Sequence, residues 1–249
     1  MKYVFCNFII ILLSLIPAQL SRACEPENYF LFKEEAREKL DFLTKNKPAN
    51  IFDQIILLHN LAFHKDKESR LMAEKLLNRT RPDSSQVNII KAFGGSLDMI
   101  KVSQSNTTSK LLKTISPFNK SPKKEALIGF SLISEAVEAE PDNKIIRCLR
   151  ATAAAESMEH LPELYKFAED DLLWLDARIN TDDSVAVFFV SLNWAKYYYK
   201  LWKKKGDFKN LEKSKISCAR AIAFACTPVY SKWAQEWQNR IDSSMNENK

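Results

Sequence analysis

Beyond Cys24, apolar residues recur at spacings of three and four along almost the whole chain, which is the period of an amphipathic helix. Among the 249 residues there are only 4 glycines, where average usage would give roughly 17. This scarcity disfavours turn-rich β-sandwiches and barrels, and it disfavours the glycine loops that hold phosphates. The sequence therefore predicts an all-α protein without a significant β-sheet. The predicted helices span about 31–46, 50–63, 66–79, 84–103, 122–140, 143–159, 162–179, 183–205, 208–226 and 229–244.

The number of helices and their short links predict how they pack. Ten helices of this kind favour stacked antiparallel pairs, in which each pair exposes an apolar face that only its neighbour covers. This is the arrangement of an α-solenoid. We expect one helical domain over residues 24–249, with a candidate seam at the long loop 103–121, which is rich in Ser, Asn and Thr.

One segment resembles a known repeat. Residues 126–143, ALIGFSLISEAVEAEPDN, are similar to the second helix of a tetratricopeptide repeat (TPR). The matching positions are the small Gly129 and Ala136, the bulky Ile133 between them and the terminating Pro141. Small residues are needed there because helix axes under ~9 Å apart leave no room for long side chains.

The C-terminal part also resembles tetratricopeptide repeats in outline. The turn pair Gly206-Asp207 follows a long helix, and residues 229–244 resemble a cap helix. The combination IRCLR at 146–150 with the later Leu161-Pro162 looks like a group of bacterial envelope repeat proteins. The resemblance implies a TPR-like envelope protein that binds a protein or peptide on a concave face and performs no catalysis.

The first 23 residues have the layout of a secretory signal peptide. Lys2 precedes an uncharged stretch, whose apolar part from Val4 to Ile16 is about 13 residues long, too short to cross a bilayer comfortably as a helix. Small residues at Ser21 and Ala23 suit a cleavage site after Ala23. We expect an exported protein, periplasmic or membrane-anchored and less readily secreted, and the alternative is an uncleaved N-terminal anchor.

Cys24 follows the predicted cut directly, and two interpretations stay open for it. Ala23-Cys24 resembles the end of a lipobox, in which the cysteine becomes lipid-modified and tethers the domain to a membrane. The alternative is an ordinary N-terminus that begins with Cys, since Ser21 and Arg22 do not suit a lipobox.

The remaining cysteines predict no disulfide framework. Cys218 and Cys226 are eight residues apart in a helical pattern, which separates them by roughly 12 Å along the axis, and a disulfide needs Cα atoms within about 7 Å. Any bridge would then involve Cys148, and small buried thiols are favoured instead.

An aromatic stripe is the first candidate binding feature. Trp194, Tyr198 and Trp202 occur at i, i+4 and i+8 and so share one face of a helix. Such a stripe is either packing core or a groove that holds a peptide or a partner helix. The residues 197–199, all Tyr, span nearly 200° of the helix, so at least one of them should reach solvent or a ligand.

Arg147 and Arg150 are the second candidate. They are three residues apart on the inner helix of the best repeat match, and they could clamp a carboxylate such as a chain terminus. The alternative is salt bridging to Glu135, Glu138 or Glu140.

Other classes of site are disfavoured. His59 and His64 are five apart and do not share a helix face, so we expect structural histidines and no metal. Eight lysines from Lys196 to Lys215 predict a solvated face or attraction to an anionic membrane surface, and no nucleic-acid binding.

Removal of Lys2 and Arg22 with the leader lowers the net charge of the chain from +6 to +4.

The sequence therefore predicts an exported helical-repeat scaffold that binds a protein or peptide partner, with no cofactor and no catalysis. The alternative is a periplasmic small-ligand carrier or transporter accessory protein, which would hold an organic anion between helix pairs.

The pair Gly94-Gly95 lies inside a helical pattern and is expected to permit close helix contact or a kink.

Overall fold

The computed structural model describes residues 33–45, 51–63, 66–81, 84, 86–105 and 122–247. These residues form ten α-helices and one 3₁₀ turn, Pro162–Leu164, and the described part of the chain contains no strand. The all-α prediction is confirmed. The helices are α1 (Lys33–Lys45), α2 (Ile51–Phe63), α3 (Lys67–Leu77), α4 (Val87–Ser105), α5 (Pro122–Ala139), α6 (Lys144–Ser157), α7 (Tyr165–Asp176), α8 (Ser184–Lys205), α9 (Phe208–Ala223) and α10 (Pro228–Glu247).

Short polar side chains begin several helices. At α3, α6, α8 and α9 the residue before the first turn accepts a hydrogen bond from a backbone N–H that would otherwise lack a partner. At α10, Thr227 Oγ1 accepts a hydrogen bond from the N–H of Tyr230 at 3.2 Å. These caps are Asp66, Asn143, Asp183 and Asp207.

Neighbouring helices pack in pairs. α2 packs against α3, α4 against α5, α6 against α7, and α8 against α9, while α10 covers the last pair. The pairing of α4 and α5 is antiparallel, because Asn88 near the start of α4 donates to Glu140 just after the end of α5 at 2.9 Å. The even-numbered helices also contact one another in order: α2 with α4, α4 with α6, α6 with α8, and α8 with α10.

The apolar core is nearly continuous along the chain. One cluster of buried residues runs from Ile56 on α2 to Tyr197 on α8, and a second joins α8, α9 and α10. The first cluster includes Val102 and Ala126, which lie close to the two ends of the loop expected as a seam. Most of that loop, residues 106–121, is outside the described residues.

Two glycines allow α4 and α5 to approach closely. A Cβ added at Gly129 would lie 2.6 Å from the carbonyl oxygen of Gly95, and one added at Gly95 would meet the Gly129 carbonyl even more closely. Gly94, by contrast, has open space around it. The expectation of close helix contact is therefore confirmed at Gly95. Ile133 and Ala136 are fully buried in the same region.

The cysteines depart from the sequence prediction. Cys148 and Cys218 are buried free thiols, and burial raises the pKa of each to about 12. Cys226, in the connection between α9 and α10, is disulfide-bonded. The prediction that any bridge would involve Cys148 is wrong, because it considered only pairings among the three C-terminal cysteines.

The leader 1–23 and Cys24 lie outside the described residues, so their predicted roles stay predictions. Among the helices that are described, none combines the length and the apolar character needed to cross a bilayer.

Candidate binding site

The aromatic stripe on α8 does not form one open surface. The rings of Trp194 and Tyr198 stack with centroids 5.1 Å apart, and Trp194 is buried. Trp202 packs instead with Tyr199, at 5.4 Å, in the second core cluster. The three predicted contact residues are thus divided between two packing regions of the protein.

Tyr198 is the most accessible of the three neighbouring tyrosines. Tyr197 and Tyr199 are buried, whereas Tyr198 is half-buried and its ring lies 5.3 Å from the Lys213 ammonium on α9. Burial, together with nearby carboxylates, raises the pKa of Tyr198. The expectation that one tyrosine of the three reaches solvent is met at this residue.

Arg147 and Arg150 both hold an internal carboxylate. Arg150 makes a bidentate contact with Asp171 on α7, through Nε to Oδ2 at 2.6 Å and Nη2 to Oδ1 at 2.8 Å. Arg147 Nη1 donates to the same Oδ1 at 2.8 Å. Asp171 is fully buried, so a residue of the chain itself occupies the place predicted for a partner's carboxylate. The ion pairs of the two arginines are with Asp171, not with the three glutamates that the sequence suggested.

Aromatic rings complete this Asp171 cluster, which we define as Arg147, Arg150, Asp171, Trp174 and Phe167. The Arg147 guanidinium lies 4.5 Å from the centroid of Trp174, and that of Arg150 lies 5.3 Å from Phe167. A guanidinium over a ring face adds cation–π attraction to the ion pair. The cluster therefore joins α6 to α7 by charge and by ring contacts.

A second charged cluster joins three even-numbered helices. The Glu156 cluster comprises Glu156 at the end of α6, Lys196 and Lys200 on α8, and Trp233 and Trp237 on α10. Lys196 is 1% exposed, and its Nζ lies 2.6 Å from Glu156 Oε1. Glu156 keeps 38% of its side chain exposed, so the cluster has an open side.

Lys200 binds the carbonyl groups at the C-terminal end of α6. Its Nζ donates to the carbonyl oxygens of Ala155 at 2.7 Å and Glu156 at 2.8 Å. These groups belong to the last turn of a helix, where carbonyls lack intrahelical partners and a cation is favourable. Burial lowers the pKa of Lys200, and the charge of Glu156 opposes that shift.

The indoles of α10 cover the ammonium of Lys196. Its Nζ lies 4.5 Å from the ring centroid of Trp233 and 5.7 Å from that of Trp237. Desolvation raises the pKa of Glu156, but Lys196 and Lys200 outweigh it and hold that pKa below its usual value. The carboxylate at the open side therefore stays ionised.

The sequence pattern did not reveal this second cluster. Lys196 and Lys200 were expected on a solvated or membrane-facing basic surface, and this expectation is wrong for both residues, because their side chains are buried. A usable signal was present: the two lysines lie at i and i+4 within a helix whose surrounding residues are nearly all aromatic or aliphatic. A cation enclosed by apolar neighbours needs a carboxylate or carbonyl partner.

The described histidines have no metal-binding arrangement. His59 Nε2 lies 2.8 Å from Ser96 Oγ, and its ring packs edge-on against Phe93. Burial lowers the pKa of His59 to about 3, so the ring is neutral. His160 is exposed, and His64 lies outside the described residues. In the described ranges no three His, Cys, Asp or Glu side chains are grouped so that they could hold a metal ion.

No protein-family model, no curated protein and no solved structure matches this chain. The likeness to tetratricopeptide repeats therefore rests on the residues of the sequence alone.

Proposed function

We propose that this protein is an exported α-solenoid with TPR-like helix pairs, a scaffold that binds a protein or peptide partner and performs no catalysis. The observation that carries the proposal is the contact of each even-numbered helix with the next one. Odd-numbered helices make no comparably close contacts with one another in the described part of the chain. An array whose one row packs more tightly than the other curves around the tighter row, and solenoids use such concave surfaces for binding.

The Glu156 cluster supplies a defined point on the even-numbered row. It lies where α6, α8 and α10 meet, and it offers a carboxylate and the half-buried indole of Trp233. The exposed Arg240 on α10 acts on the same carboxylate from outside the cluster. The buried lysines hold the carboxylate in place before any partner arrives, which lowers the ordering cost of binding. Mixed charge beside an aromatic ring suits a peptide segment with both polar and apolar groups.

The export part of the proposal has separate support in Cys226. A structural disulfide forms and persists in oxidising compartments and is rare in the cytosol. The predicted leader 1–23 would direct the chain to such a compartment, with the mature protein free there or anchored through a lipid on Cys24.

Site-specific photo-crosslinking in the cell of origin tests the binding surface. A photoreactive phenylalanine would replace Trp233 on the even-numbered row and, as the matched control, the exposed Ile216 on α9, which belongs to the other row. We expect a protein adduct of one defined mass at position 233 and none at position 216.

Two results would contradict the proposal. An adduct confined to position 216 would place the binding surface on the odd-numbered helices, contrary to the proposal. Absence of any adduct, together with a rise in Tm on adding a small organic anion, would favour the small-ligand carrier instead.

A further inference from the structure

Cys226 is the one described cysteine that is oxidised. It is half-buried in the connection between α9 and α10 and is disulfide-bonded. Cys148 and Cys218 are both free. Cys218 donates its S–H to the carbonyl oxygen of Ala234 at 3.3 Å, and Cys148 is buried in the first core cluster. Neither is the partner of Cys226.

The partner follows by elimination. The chain has five cysteines, and the two that remain are Cys6 and Cys24. Cys6 lies in the apolar part of the predicted leader and leaves with it on export. We propose that Cys24, the first residue of the mature chain, forms a disulfide with Cys226. This assignment rests on the export part of the proposed function.

The bond forms by ordinary thiol–disulfide exchange. The Cys226 or Cys24 thiolate attacks a disulfide of a thiol oxidase in the exported compartment and forms a mixed disulfide. The thiolate of the other cysteine then displaces the oxidase, which leaves as a dithiol. Two electrons and two protons pass from the pair to the oxidase, and one S–S bond joins Cys24 to Cys226.

This bond decides between the two interpretations of Cys24. A lipid anchor needs the Cys24 sulfur for a thioether, and a sulfur in a disulfide cannot carry one. The mature protein would therefore be exported without an acyl anchor. The bond also limits the distance between the two ends of the helical array. Lys33 at the start of α1 is nine positions after Cys24, and a chain segment of nine Cα-to-Cα steps reaches at most about 30 Å.

Peptide mapping without reduction tests the pairing. The full-length chain would be expressed with its own leader, alkylated to block free thiols and digested with trypsin. We expect peptide 24–33 joined to peptide 221–232, and on reduction the joined species should split into the two peptides with a gain of two hydrogens. Recovery of alkylated 221–232 or of an acylated 24–33 would overturn the pairing.

The same digest separates the failure of this inference from failure of export. A peptide that contains residues 3–22 would show that the leader is retained, and the export proposal would then fail as well. A chain that begins at Cys24 with an alkylated Cys226 would sink the disulfide alone. A dimer-sized band that disappears on reduction would assign Cys226 to a bond between two chains and contradict the pairing.

Variants test the bond independently of the mapping. In Cys226→Ser, we expect a maleimide to label Cys24 without prior reduction, whereas the wild-type chain should stay unlabelled there. The matched control Cys148→Ser should behave like wild type, because Cys148 is already a buried free thiol. Labelling of Cys24 in the wild-type chain would contradict the proposal.

Thermal unfolding gives a last readout. Because the bond closes a loop of about 200 residues, a reductant should lower the wild-type Tm by about 5–15 °C. Cys226→Ser should begin at the lower Tm and show no response to the reductant. An equal response in both proteins would mean that the reductant acts elsewhere.

Discussion

Two carboxylates in this molecule each face two cations, and they differ in how far water reaches them. Asp171 is fully buried between two arginines of α6, within one helix pair. Glu156 faces Lys196 and Lys200 of α8, but 38% of its side chain stays exposed. A carboxylate between two cations can therefore have two different roles. Asp171 joins two helices and is closed to solvent, whereas Glu156 joins two helices and stays accessible to a partner.

The largest effect is expected from Asp171→Asn. The change keeps the shape of the side chain but removes its charge, and it leaves two enclosed guanidinium groups without a counterion. Breaking a buried ion pair in this way costs about 3–5 kcal/mol, so the Tm should fall by about 6–20 °C. Thermal unfolding followed by circular dichroism measures this loss.

Asp170→Asn is the control for that experiment. Asp170 is the preceding residue on α7 and is exposed, so its replacement should change the Tm by less than about 2 °C. If both variants lost the same stability, the buried ion pair would not be the cause of the loss in Asp171→Asn. Asp171 and Glu156 could then not be compared as an enclosed and an open ion pair.

Gly95→Ala tests a contact that holds a helix pair without any charge. The new methyl would collide with the backbone carbonyl of Gly129, and backbone atoms cannot turn aside as a side chain can. Overpacking of this kind costs about 1–3 kcal/mol. Urea unfolding should show a lower midpoint with an unchanged slope.

Gly94→Ala is the matched control, with an effect of opposite sign. The neighbouring glycine has no atom within 4 Å of an added Cβ, and alanine is favoured over glycine inside a helix by up to about 1 kcal/mol. A destabilised Gly94→Ala protein would show that helix α4 resists any substitution there, and the clash with the Gly129 carbonyl would then not explain the effect of Gly95→Ala.

Local features of the fold could be predicted from the sequence, because their causes are local. The helix at Ser184–Lys205 was expected at 183–205 from its apolar period and from the turn pair Gly206-Asp207 that follows it. Gly206 indeed has φ 70, in the left-handed region that glycine tolerates. The seven-residue spacing of small residues likewise marked Gly129 and Ala136 as contact positions, and both are buried.

The charged clusters could not be predicted in the same way, because their partners lie far apart in the chain. Asp171 is 21 residues from Arg150, and the sequence offered three glutamates that were nearer to the arginines. Lys196 meets a carboxylate 40 residues away, and only the packing of α6 against α8 brings them together. Periodicity shows which face of a helix is apolar, but it does not show which neighbouring helix that face contacts.

Glu156→Gln should have a smaller effect than Asp171→Asn. It removes the charge that neutralises Lys196, a buried ammonium. Because water reaches Glu156 and screens part of the interaction, the expected loss is about 1–2 kcal/mol, or about 2–8 °C in Tm. Glu138→Gln, at an exposed position on α5, is the control and should change the Tm little. A loss as large as that of Asp171→Asn would mean that the two carboxylates are equivalent.

The smallest effect is a dependence on pH that belongs to Glu156 alone. Its pKa in the folded protein lies below the usual 4.5, because Lys196 and Lys200 outweigh its desolvation. The stability that it contributes is therefore fully present above the unfolded pKa and is lost as pH falls through the folded pKa. Other groups with lowered pKa values, such as Asp242, make both proteins less stable in acid, so the informative quantity is the difference between wild type and Glu156→Gln.

That difference in the free energy of unfolding, measured by urea titration, should be largest near neutral pH and should shrink as pH falls below about 4.5. Protonated Glu156 resembles Gln in charge and shape, so the two proteins converge once the carboxyl takes up its proton. Arg240 also faces this carboxylate from α10, but it is present in both proteins, so it cannot produce the same convergence. A difference that stays constant from neutral to acid pH would show that Glu156 acts through packing, and the distinction between an open and an enclosed carboxylate would then rest on exposure alone.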